Sequence, residues 1–295
     1  MSVLAIFQYE VFLAVVDNGS FTKAGEKLGL SQSGVSHNIS TLEMELGMVL
    51  LHRNRNGISL TDAGVRVISH IRQIVRHANL LEQEAALIKG IEIGSIKIGS
   101  FPSFSAKIFP RIISTYVKMY PHIQIELYEG GYDDIKNWLT SGTIDIGFLP
   151  LPANGFETIH LFTDRLALLV HRDHRLSTQK QVHIESLHNE PFIMPKGGCD
   201  TLIKDFLKKS NVQPTVLFEV IDNNTIISMV QEKLGITIIS EMILSEKMSN
   251  TKVIPLEHDL VREIGMGLKS IKQASPAVKR FIEITRGYFK ETARI

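Results

Sequence analysis

Two short helices joined by a tight turn are predicted near the N-terminus, and this pair constrains the fold most. Ser20 and Ser31 are placed to cap the two helices, because serine side chains accept hydrogen bonds from free backbone N–H groups. Gly29 and Gly47 follow the last residues of these helices, as is usual at helix C-termini. Two helices joined by a three- or four-residue turn containing glycine have the spacing of a helix-turn-helix motif.

The second helix of this pair is predicted to have one apolar and one polar face. Val35, Ile39 and Leu42 are spaced to pack inward. In a helix-turn-helix, the second helix enters the major groove and its first residues meet base edges, where Gln and Asn suit adenine and Ser suits several bases. The candidate DNA-binding residues in the motif are Thr22, Lys23, Ser31, Gln32, Ser33, Ser36, His37 and Asn38.

A basic hairpin is predicted directly after the motif. Asn56-Gly57 is a strong hairpin-turn signal, and Arg53 and Arg55 lie beside it. Such a wing suits contacts to phosphates or to the minor groove. The overall charge does not indicate a DNA partner, because the chain has a net charge of +1 and residues 1–90 hold eight basic and eight acidic residues. The placement of charge, not its excess, has to carry DNA binding.

A long helix follows from about residue 61. Its apolar residues are spaced alternately by four and three positions over three heptads, which favours a coiled-coil partner. The alternative is a core helix with a narrow apolar stripe. We expect a dimerisation seam made of Val67, Ile71, Ile74, Ala78, Leu81, Ala85 and Ile88.

From about residue 90, strands alternate with helices. This order indicates an α/β unit with a largely parallel sheet. Within it, one helix is expected over Phe104–Met119 and another over Pro276–Lys290.

Composition excludes several classes of protein. Hydrophobic residues make up 44% of the chain, which rules out disorder of the whole. The single cysteine, Cys199, excludes an intrachain disulfide and a Cys-rich zinc module, and it fits a reducing cytoplasm. The sequence lacks an apolar run long enough to span a membrane and a recognisable signal peptide, so we expect a cytoplasmic protein without a membrane partner.

The first 65 residues resemble the LysR-type transcriptional regulator family in the order and spacing of several segments. These segments are Phe12–Val16, Gly19–Leu28, Leu30–Ser36, Leu42–Gly47, Leu50–Arg53 and Leu60–Gly64. In the second half, the resemblance is carried by Gly142–Phe148 and Pro195–Gly198 and by the α/β layout. The chain departs from the family at Gly25, usually alanine, at Ser33-Gly34, usually Pro-Ala, and at His37, usually arginine or lysine. The departure at His37 leaves the base preference open.

The resemblance implies an α+β protein of several domains. Residues 1–60 would form a winged helix-turn-helix domain and residues 61–90 a linker and dimerisation helix. The rest would form a periplasmic-binding-protein-like α/β effector domain of two subdomains, 91–161 with 268–295, and 162–267. Family members are sequence-specific transcriptional regulators and not enzymes. They bind promoter DNA, are commonly tetramers and respond to small molecules; RNA polymerase is a further candidate partner. The resemblance implies no cofactor and no metal.

The effector cleft is expected at loops that follow strand C-termini, where α/β sheets bind ligands. Three loops that lead into helices offer backbone N–H groups for an anion, and Phe148 would add an apolar wall. The alternative is that the polar residues are helix caps only. The candidate residues for a small anionic metabolite are Ser100, Phe101, Pro102, Ser103, Phe148, Lys196, Gly197, Gly198 and Asn223.

The sequence also has features that bear on other functions. No nucleophile elbow, Walker loop or dinucleotide-binding motif is present, so an enzyme is disfavoured. His171 and His174 have a spacing that hints at metal, although a strand end is the simpler interpretation. Cys199 lies near Lys196 and a helix N-terminus, both of which would lower its pKa, so a redox-responsive regulator is the alternative. A solute-binding protein and an architectural DNA binder fit the two halves of the chain less well.

Overall fold

The computed structural model describes residues 6–54, 57–244 and 249–292. Contacts divide the chain into an N-terminal unit up to Gly94 and a C-terminal unit from Ser95, with Thr140–Thr143 and Ser275–Ala277 grouped with the first. Each unit has a hydrophobic core of its own. No helix among the described residues is both long and apolar enough to cross a bilayer.

The N-terminal unit contains three short helices, a hairpin and a long helix. Their bounds are α1 (Ile6–Asn18), α2 (Phe21–Leu28), α3 (Gln32–Leu46), β1 (Leu51–Asn54), β2 (Gly57–Leu60) and α4 (Asp62–Ile88). The predicted caps are confirmed: the Ser20 side chain accepts from the Lys23 N–H, and the Ser31 side chain accepts from the Gly34 N–H. Gly29 ends α2 in the left-handed conformation with φ of 67°, which glycine adopts without steric cost.

The core of this unit forms where α1, α3 and the start of α4 meet. Val35, Ile39 and Leu42 of α3 are fully buried, as predicted from their spacing. Phe12 of α1 and Ile71 of α4 are buried in the same cluster. Because the apolar side of α3 is committed to this core, the opposite side faces solvent.

The predicted dimerisation seam of α4 divides into two parts. Ile71 is buried in the core of the N-terminal unit, and Val67 packs against the same core. Further along the helix the seam is exposed: Ile74 retains 43%, Leu81 71% and Ile88 86% of its accessible surface. The first part of the seam therefore serves its own unit, and the later part presents apolar side chains at the surface.

The C-terminal unit alternates strands with helices over most of its length. Its elements are β3 (Gly94–Ser100), α5 (Pro102–Lys107), α6 (Phe109–Met119), β4 (Ile123–Glu129), α7 (Tyr132–Ser141), β5 (Ile146–Leu151), β6 (Glu157–His171), β7 (Pro191–Pro195), α8 (Asp200–Lys209), β8 (Thr215–Val220), α9 (Asn223–Gln231), β9 (Thr237–Ser240), β10 (Thr251–Ile254), β11 (Leu260–Leu268) and α10 (Pro276–Thr292). Short 3-10 turns follow β6 and β9.

The main sheet has seven strands in the order β10-β6-β11-β5-β3-β4, with β9 also paired to β6. The expectation of a largely parallel sheet is wrong, because β6 pairs antiparallel with β9, β10 and β11, and β11 pairs antiparallel with β5. β11 lies between β5 and β6 in the sheet and runs antiparallel to both of them. Parallel pairing does join β3 to β5, and β7 to β8 in a separate two-stranded sheet.

The expected single helix over Phe104–Met119 is also wrong, since the chain forms α5 and α6 with a break at Ile108. Pro110 explains the break. Proline lacks a backbone donor and its ring clashes with the carbonyl four residues earlier, so it cannot continue α5 but is tolerated in the first turn of α6.

The long strands β6 and β11 pair along most of their length. Their register shifts between Ile264 and Gly265, which lie opposite Phe162 and His160. The limits expected between the two effector subdomains, after residue 161 and after residue 267, both fall within this paired ribbon.

Candidate functional sites

The start of α3 presents the predicted base-reading residues. Gln32, Ser33 and His37 are exposed, whereas Ser36 and Asn38 are half-buried. The Asn38 side-chain amide donates to the Gly34 carbonyl over 2.9 Å, which commits one of its hydrogen-bonding groups within the helix. Gln32, Ser33 and His37 are therefore the side chains of α3 best placed to meet a partner.

Other predicted DNA-binding residues flank α3. Thr22 and Lys23 are exposed in the first turn of α2, and Ser31 is exposed at the start of α3. The backbone of Arg53 lies in β1 opposite Ile58. The side chain of Arg53 and the whole of Arg55 lie outside the described residues, so their contribution to the wing stays a prediction.

Two carboxylates that sequence reasoning missed position these elements. Glu43 of α3 accepts from the backbone N–H groups of Leu50 and Leu51 over 2.7 and 3.1 Å, which holds the start of the hairpin against α3. The Asp17 carboxylate of α1 accepts hydrogen bonds from both terminal nitrogens of Arg72 in α4, one of them over 3.2 Å. Arg72 is buried and forms a bidentate ion pair of high geometric specificity.

Many of the predicted effector-site residues meet at a cavity of about 40 Å³ in the C-terminal unit, here called the inner cavity. The predicted residues that line it are Phe101, Pro102, Ser103, Gly197, Gly198 and Asn223. The C-terminal ends of β3 and β7 and the start of α9 bring them together. Helix α5 has only six residues, so its N-terminus offers less dipole than the long helix expected from the sequence.

Three predicted effector residues lie elsewhere. Phe148 is fully buried and stacks on Phe104 with ring centroids 4.1 Å apart, so it belongs to the core and not to the cavity wall. Lys196 is exposed and its ammonium lies 3.5 Å from a Glu219 carboxylate oxygen. Ser100 is fully buried in β3, where its hydroxyl has no hydrogen-bond partner in the part of the chain that the structure describes.

Sequence reasoning missed the charged centre of this cavity. Arg262 of β11 is buried, and its Nε donates to Asp164 of β6 over 2.6 Å. A terminal nitrogen of Arg262 donates to the Tyr132 hydroxyl, and another lies 3.5 Å from the Ser103 hydroxyl. The Ser240 hydroxyl donates to Asp164 over 2.7 Å. The signal available in the sequence was a lone arginine inside an apolar stretch, Leu260–Leu268, but this stretch was not predicted as a strand.

Burial governs the protonation of this cluster. Burial raises the pKa of the Tyr132 phenol far above its ordinary value, so the phenol is neutral. Burial alone would lower the pKa of Arg262, but the neighbouring Cys199, Tyr132 and Asp164 raise it, so the guanidinium is charged. Burial also raises the pKa of the Cys199 thiol, an effect that Arg262 opposes. The expected lowering of the Cys199 pKa is therefore wrong, because burial outweighs the nearby positive charge.

A second, larger cavity of about 820 Å³ lies beside the inner one and is called the outer cavity. The two cavities share Tyr132, Gly197, Cys199 and Arg262. The carboxylates that line the outer cavity are Asp133, Asp134, Asp200, Asp205 and Glu263. These five carboxylates outnumber the two cationic side chains of its lining, Lys136 and Arg262, so the lining is net acidic, unlike that of the inner cavity.

The predicted His-x-x-His pair lies at the end of β6. His174 is 3.2 Å from a Glu190 carboxylate oxygen, and His171 accepts from the Asp173 N–H. Within the described part of the chain, no group of three or more His, Cys, Asp or Glu side chains is placed to hold a metal ion. The pair therefore has structural partners at a strand end.

Comparison with protein-family models assigns both halves of the chain. The model of bacterial regulatory helix-turn-helix proteins of the lysR family matches residues 6–65, and the LysR substrate binding domain matches residues 89–290. This chain belongs to the LysR family. The resemblance drawn from the sequence is thereby confirmed over nearly the whole chain.

Related proteins and structures agree with this assignment. The chain is 37% identical to an uncharacterised HTH-type transcriptional regulator, YvbU of Bacillus subtilis, over 97% of this chain and 99% of that protein. Full-length OxyR C199D of Pseudomonas aeruginosa matches with a TM-score of 0.75, 17% identity and 97% coverage of both chains. Full-length CbnR in complex with its target DNA matches with a TM-score of 0.65 and 23% identity, over 96% of this chain and 99% of that one.

The LysR-family chain is a DNA-binding transcriptional regulator with an effector-binding domain. Its fold class is the one expected, a winged helix-turn-helix unit followed by a mixed helix-and-sheet domain. The redox alternative is not favoured, because the raised pKa of Cys199 leaves little thiolate at neutral pH.

Proposed function

We propose that this LysR-family protein reads a specific promoter sequence with α3, and that a small anionic metabolite in its C-terminal unit changes DNA binding. The observation that carries the proposal is the two-sided character of α3. Gln32, Ser33 and His37 are exposed, whereas Val35 and Ile39 are fully buried. A helix held in this way offers a fixed set of donors and acceptors to a major groove.

Base contacts in this proposal come from the start of α3, where Gln32 can pair with adenine through two hydrogen bonds. Phosphate contacts come from Thr22 and Lys23 on α2 and from Arg53 and Arg55 on the wing. His37 replaces the basic residue usual in the family, so the base that it would contact stays open. The fold shared with CbnR, solved with its target DNA, supports this mode of binding.

The proposed layout follows the domain limits drawn from the sequence. Residues 1–60 bind DNA, residues 61–90 link and dimerise, and residues 91–161 with 268–295 and 162–267 form two effector subdomains. The exposed apolar part of α4 supports dimerisation, with Ile74, Leu81 and Ile88 against a second copy. Two such dimers would form a tetramer on DNA, in the cytoplasm where the promoter and RNA polymerase are found.

The effector site in this proposal comprises both cavities, with the anionic group in the inner cavity and the rest of the metabolite in the outer one. Its polar groups include the hydroxyl of Ser103, the amide of Asn223 and the backbone of Gly197 and Gly198. The buried guanidinium of Arg262 supplies the positive charge that favours an anion. Effector binding at these groups would alter how strongly the dimer binds its operator.

A ligand screen tests the proposal. Full-length protein is titrated onto labelled DNA from its own upstream region, with metabolite carboxylates, phosphates and sulfonates added, each beside a neutral amide or alcohol of the same shape. We expect at least one anion, and not its neutral counterpart, to change the DNA dissociation constant about fivefold or more. Ser103→Ala should weaken that response, and Ser40→Ala, an exposed serine of α3, should leave ligand affinity unchanged. If no anion changes DNA binding or raises the melting temperature, the proposed regulation is contradicted.

A further inference from the structure

Arg262 and Tyr132 form a buried contact at the wall between the inner and outer cavities. The Arg262 side chain is only 4% exposed and lines both cavities. Tyr132 is the first residue of α7, and its ring meets Phe101 edge-on with centroids 5.3 Å apart. The Tyr132 hydroxyl accepts a hydrogen bond from a terminal nitrogen of Arg262. The phenol therefore occupies one of the positions where this guanidinium binds an acceptor.

The two edges of the guanidinium have unequal partners. The Nε of Arg262 meets the carboxylate of Asp164, which Ser240 also stabilises. Among the described residues, the two terminal nitrogens meet only neutral oxygens, the hydroxyls of Tyr132 and Ser103, and the latter contact is long at 3.5 Å. Charge-assisted hydrogen bonds are stronger than neutral ones, and arginine binds a carboxylate through two parallel bonds. An oxyanion would therefore be a better partner for these nitrogens than the phenol.

Arg262 is the only cationic side chain among the described residues that line the inner cavity. Lys196, the basic residue expected there, is exposed and lies beside Glu219. The inner cavity of about 40 Å³ has room for little more than a water molecule or two, whereas the outer cavity of about 820 Å³ has room for a metabolite. Movement of the Tyr132 side chain would join the two cavities at the guanidinium.

We infer that Arg262 anchors the anionic group of the effector, and that Tyr132 occupies this anchor until the effector displaces it. The inference deepens the proposed function and rests on it. The acidic lining of the outer cavity adds a preference about the rest of the ligand. Asp133 and Asp205 are exposed there and would repel a second negative charge. The effector class is thus a molecule with one carboxylate or similar oxyanion and a neutral or cationic remainder.

Cys199 provides a probe of this anchor, because it is the only cysteine of the chain and lines both cavities. The full-length protein is reacted at pH 8 with two methanethiosulfonate reagents of similar size, one bearing a sulfonate and one bearing a trimethylammonium group. The ratio of their rates measures the preference of the site for an anion, and it cancels any change in the reactivity of the thiol itself.

Removal of the anchor should lower this ratio. We expect Arg262→Gln to reduce the sulfonate-to-ammonium ratio about tenfold, because a buried unit charge lies near the thiol. Arg262→Lys keeps the charge and should retain most of the ratio, which also covers the case in which the glutamine variant fails to fold. Arg165→Gln is the matched control, since Arg165 lies on β6 with its side chain 63% exposed. It should leave the ratio within about twofold of wild type.

Release of the guanidinium from the phenol should raise the ratio. Tyr132→Phe keeps the ring and removes the hydroxyl, so we expect the ratio to rise about two- to fivefold because a terminal nitrogen of Arg262 becomes free to bind the sulfonate. Tyr120→Phe, at the end of α6, is the control and should not change it. The inference is overturned if Arg262→Gln behaves like Arg165→Gln, or if Tyr132→Phe fails to raise the ratio.

This experiment contains no DNA, so it separates the inference from the proposed function. An anion preference that depends on Arg262, in a protein whose DNA binding responds to no anion, would support the anchor and contradict the proposed regulation. A DNA-binding response to an anion that Arg262→Lys and Arg262→Gln leave intact would support the regulation and overturn the anchor.

Discussion

The two units of this regulator place their functional side chains in opposite ways. The N-terminal unit presents exposed polar residues on one helix, α3, whose other face is buried. The C-terminal unit buries an arginine and an aspartate, and surrounds them with side chains from distant parts of the chain, such as Ser103, Tyr132 and Ser240. Exposed residues on a firm scaffold can change with little cost to folding. Buried charged residues cannot be replaced at so little cost, because each one neutralises the charge of its buried partner.

This contrast means that stability and binding should separate in the first unit and stay coupled in the second. A substitution at the start of α3 should change DNA affinity and leave the free energy of unfolding nearly unchanged. A substitution in the Arg262 cluster should change both.

The largest effect is expected from Asp164→Asn. This change leaves the buried Arg262 without its counter-charge, which typically costs about 3–5 kcal/mol. Urea unfolding monitored by Trp138, the only tryptophan of the chain, reports on the C-terminal unit. Arg165→Gln, which removes an exposed charge from the same ribbon, should cost less than about 1 kcal/mol. Equal stabilities for the two variants would break the contrast between the units.

The next effect is expected from Gln32→Ala. Loss of a side chain that pairs with a base should weaken specific DNA binding about 5- to 150-fold, which corresponds to about 1–3 kcal/mol, and leave binding to random DNA unchanged. The melting temperature should not move, because Gln32 is exposed. Fluorescence anisotropy measures both affinities, with Gln73→Ala, an exposed glutamine of α4, as the matched control. If specific and random DNA lose affinity equally, Gln32 does not read bases.

A smaller effect is expected from Ser31→Ala. The Ser31 hydroxyl accepts from the Gly34 N–H over 3.1 Å at the start of α3, and loss of such a cap costs about 1 kcal/mol. Thermal unfolding followed by circular dichroism should show a lower midpoint for the N-terminal unit. Ser40→Ala, an exposed position within the same helix, should be nearly neutral, and an equal loss there would argue against capping.

The smallest effect is expected at Cys199. Because burial raises the pKa of this thiol, the thiolate forms only at a pH above that of an ordinary cysteine. The rate of alkylation by iodoacetamide should therefore rise with pH through a midpoint above the value for the urea-unfolded protein. Hydrogen peroxide should leave DNA affinity unchanged within about twofold. An alkylation midpoint at lower pH than that of the unfolded protein would support a redox role for Cys199.

Sequence reasoning succeeded where the determinants are local. The caps Ser20 and Ser31 and the apolar spacing of Val35, Ile39 and Leu42 lie within a few residues of the structure they specify. These signals were sufficient to predict the helix-turn-helix and the face of α3 that remains exposed. The family resemblance added the overall layout of the C-terminal unit.

Sequence reasoning failed where the residues that determine the structure are far apart in the chain. Asp164 and Arg262 face each other only because β6 and β11 pair antiparallel, and β11 was not predicted at all. Strand direction depends on which strands become neighbours, which the alternation of strands and helices does not specify. The seam of α4 shows the same limit: its spacing is regular, yet Ile71 joins the core of its own unit.

The most direct test is an in vitro selection of bound fragments from sheared genomic DNA of the source organism, performed with the wild-type protein and with Gln32→Ala. We predict that the wild type enriches one sequence containing an inverted repeat with half-sites about one helical turn apart, or a multiple of it. Gln32→Ala should lose preference at defined positions of that repeat. Recovery of fragments without a shared sequence, or of the same sequence preference for both proteins, would contradict base reading by α3.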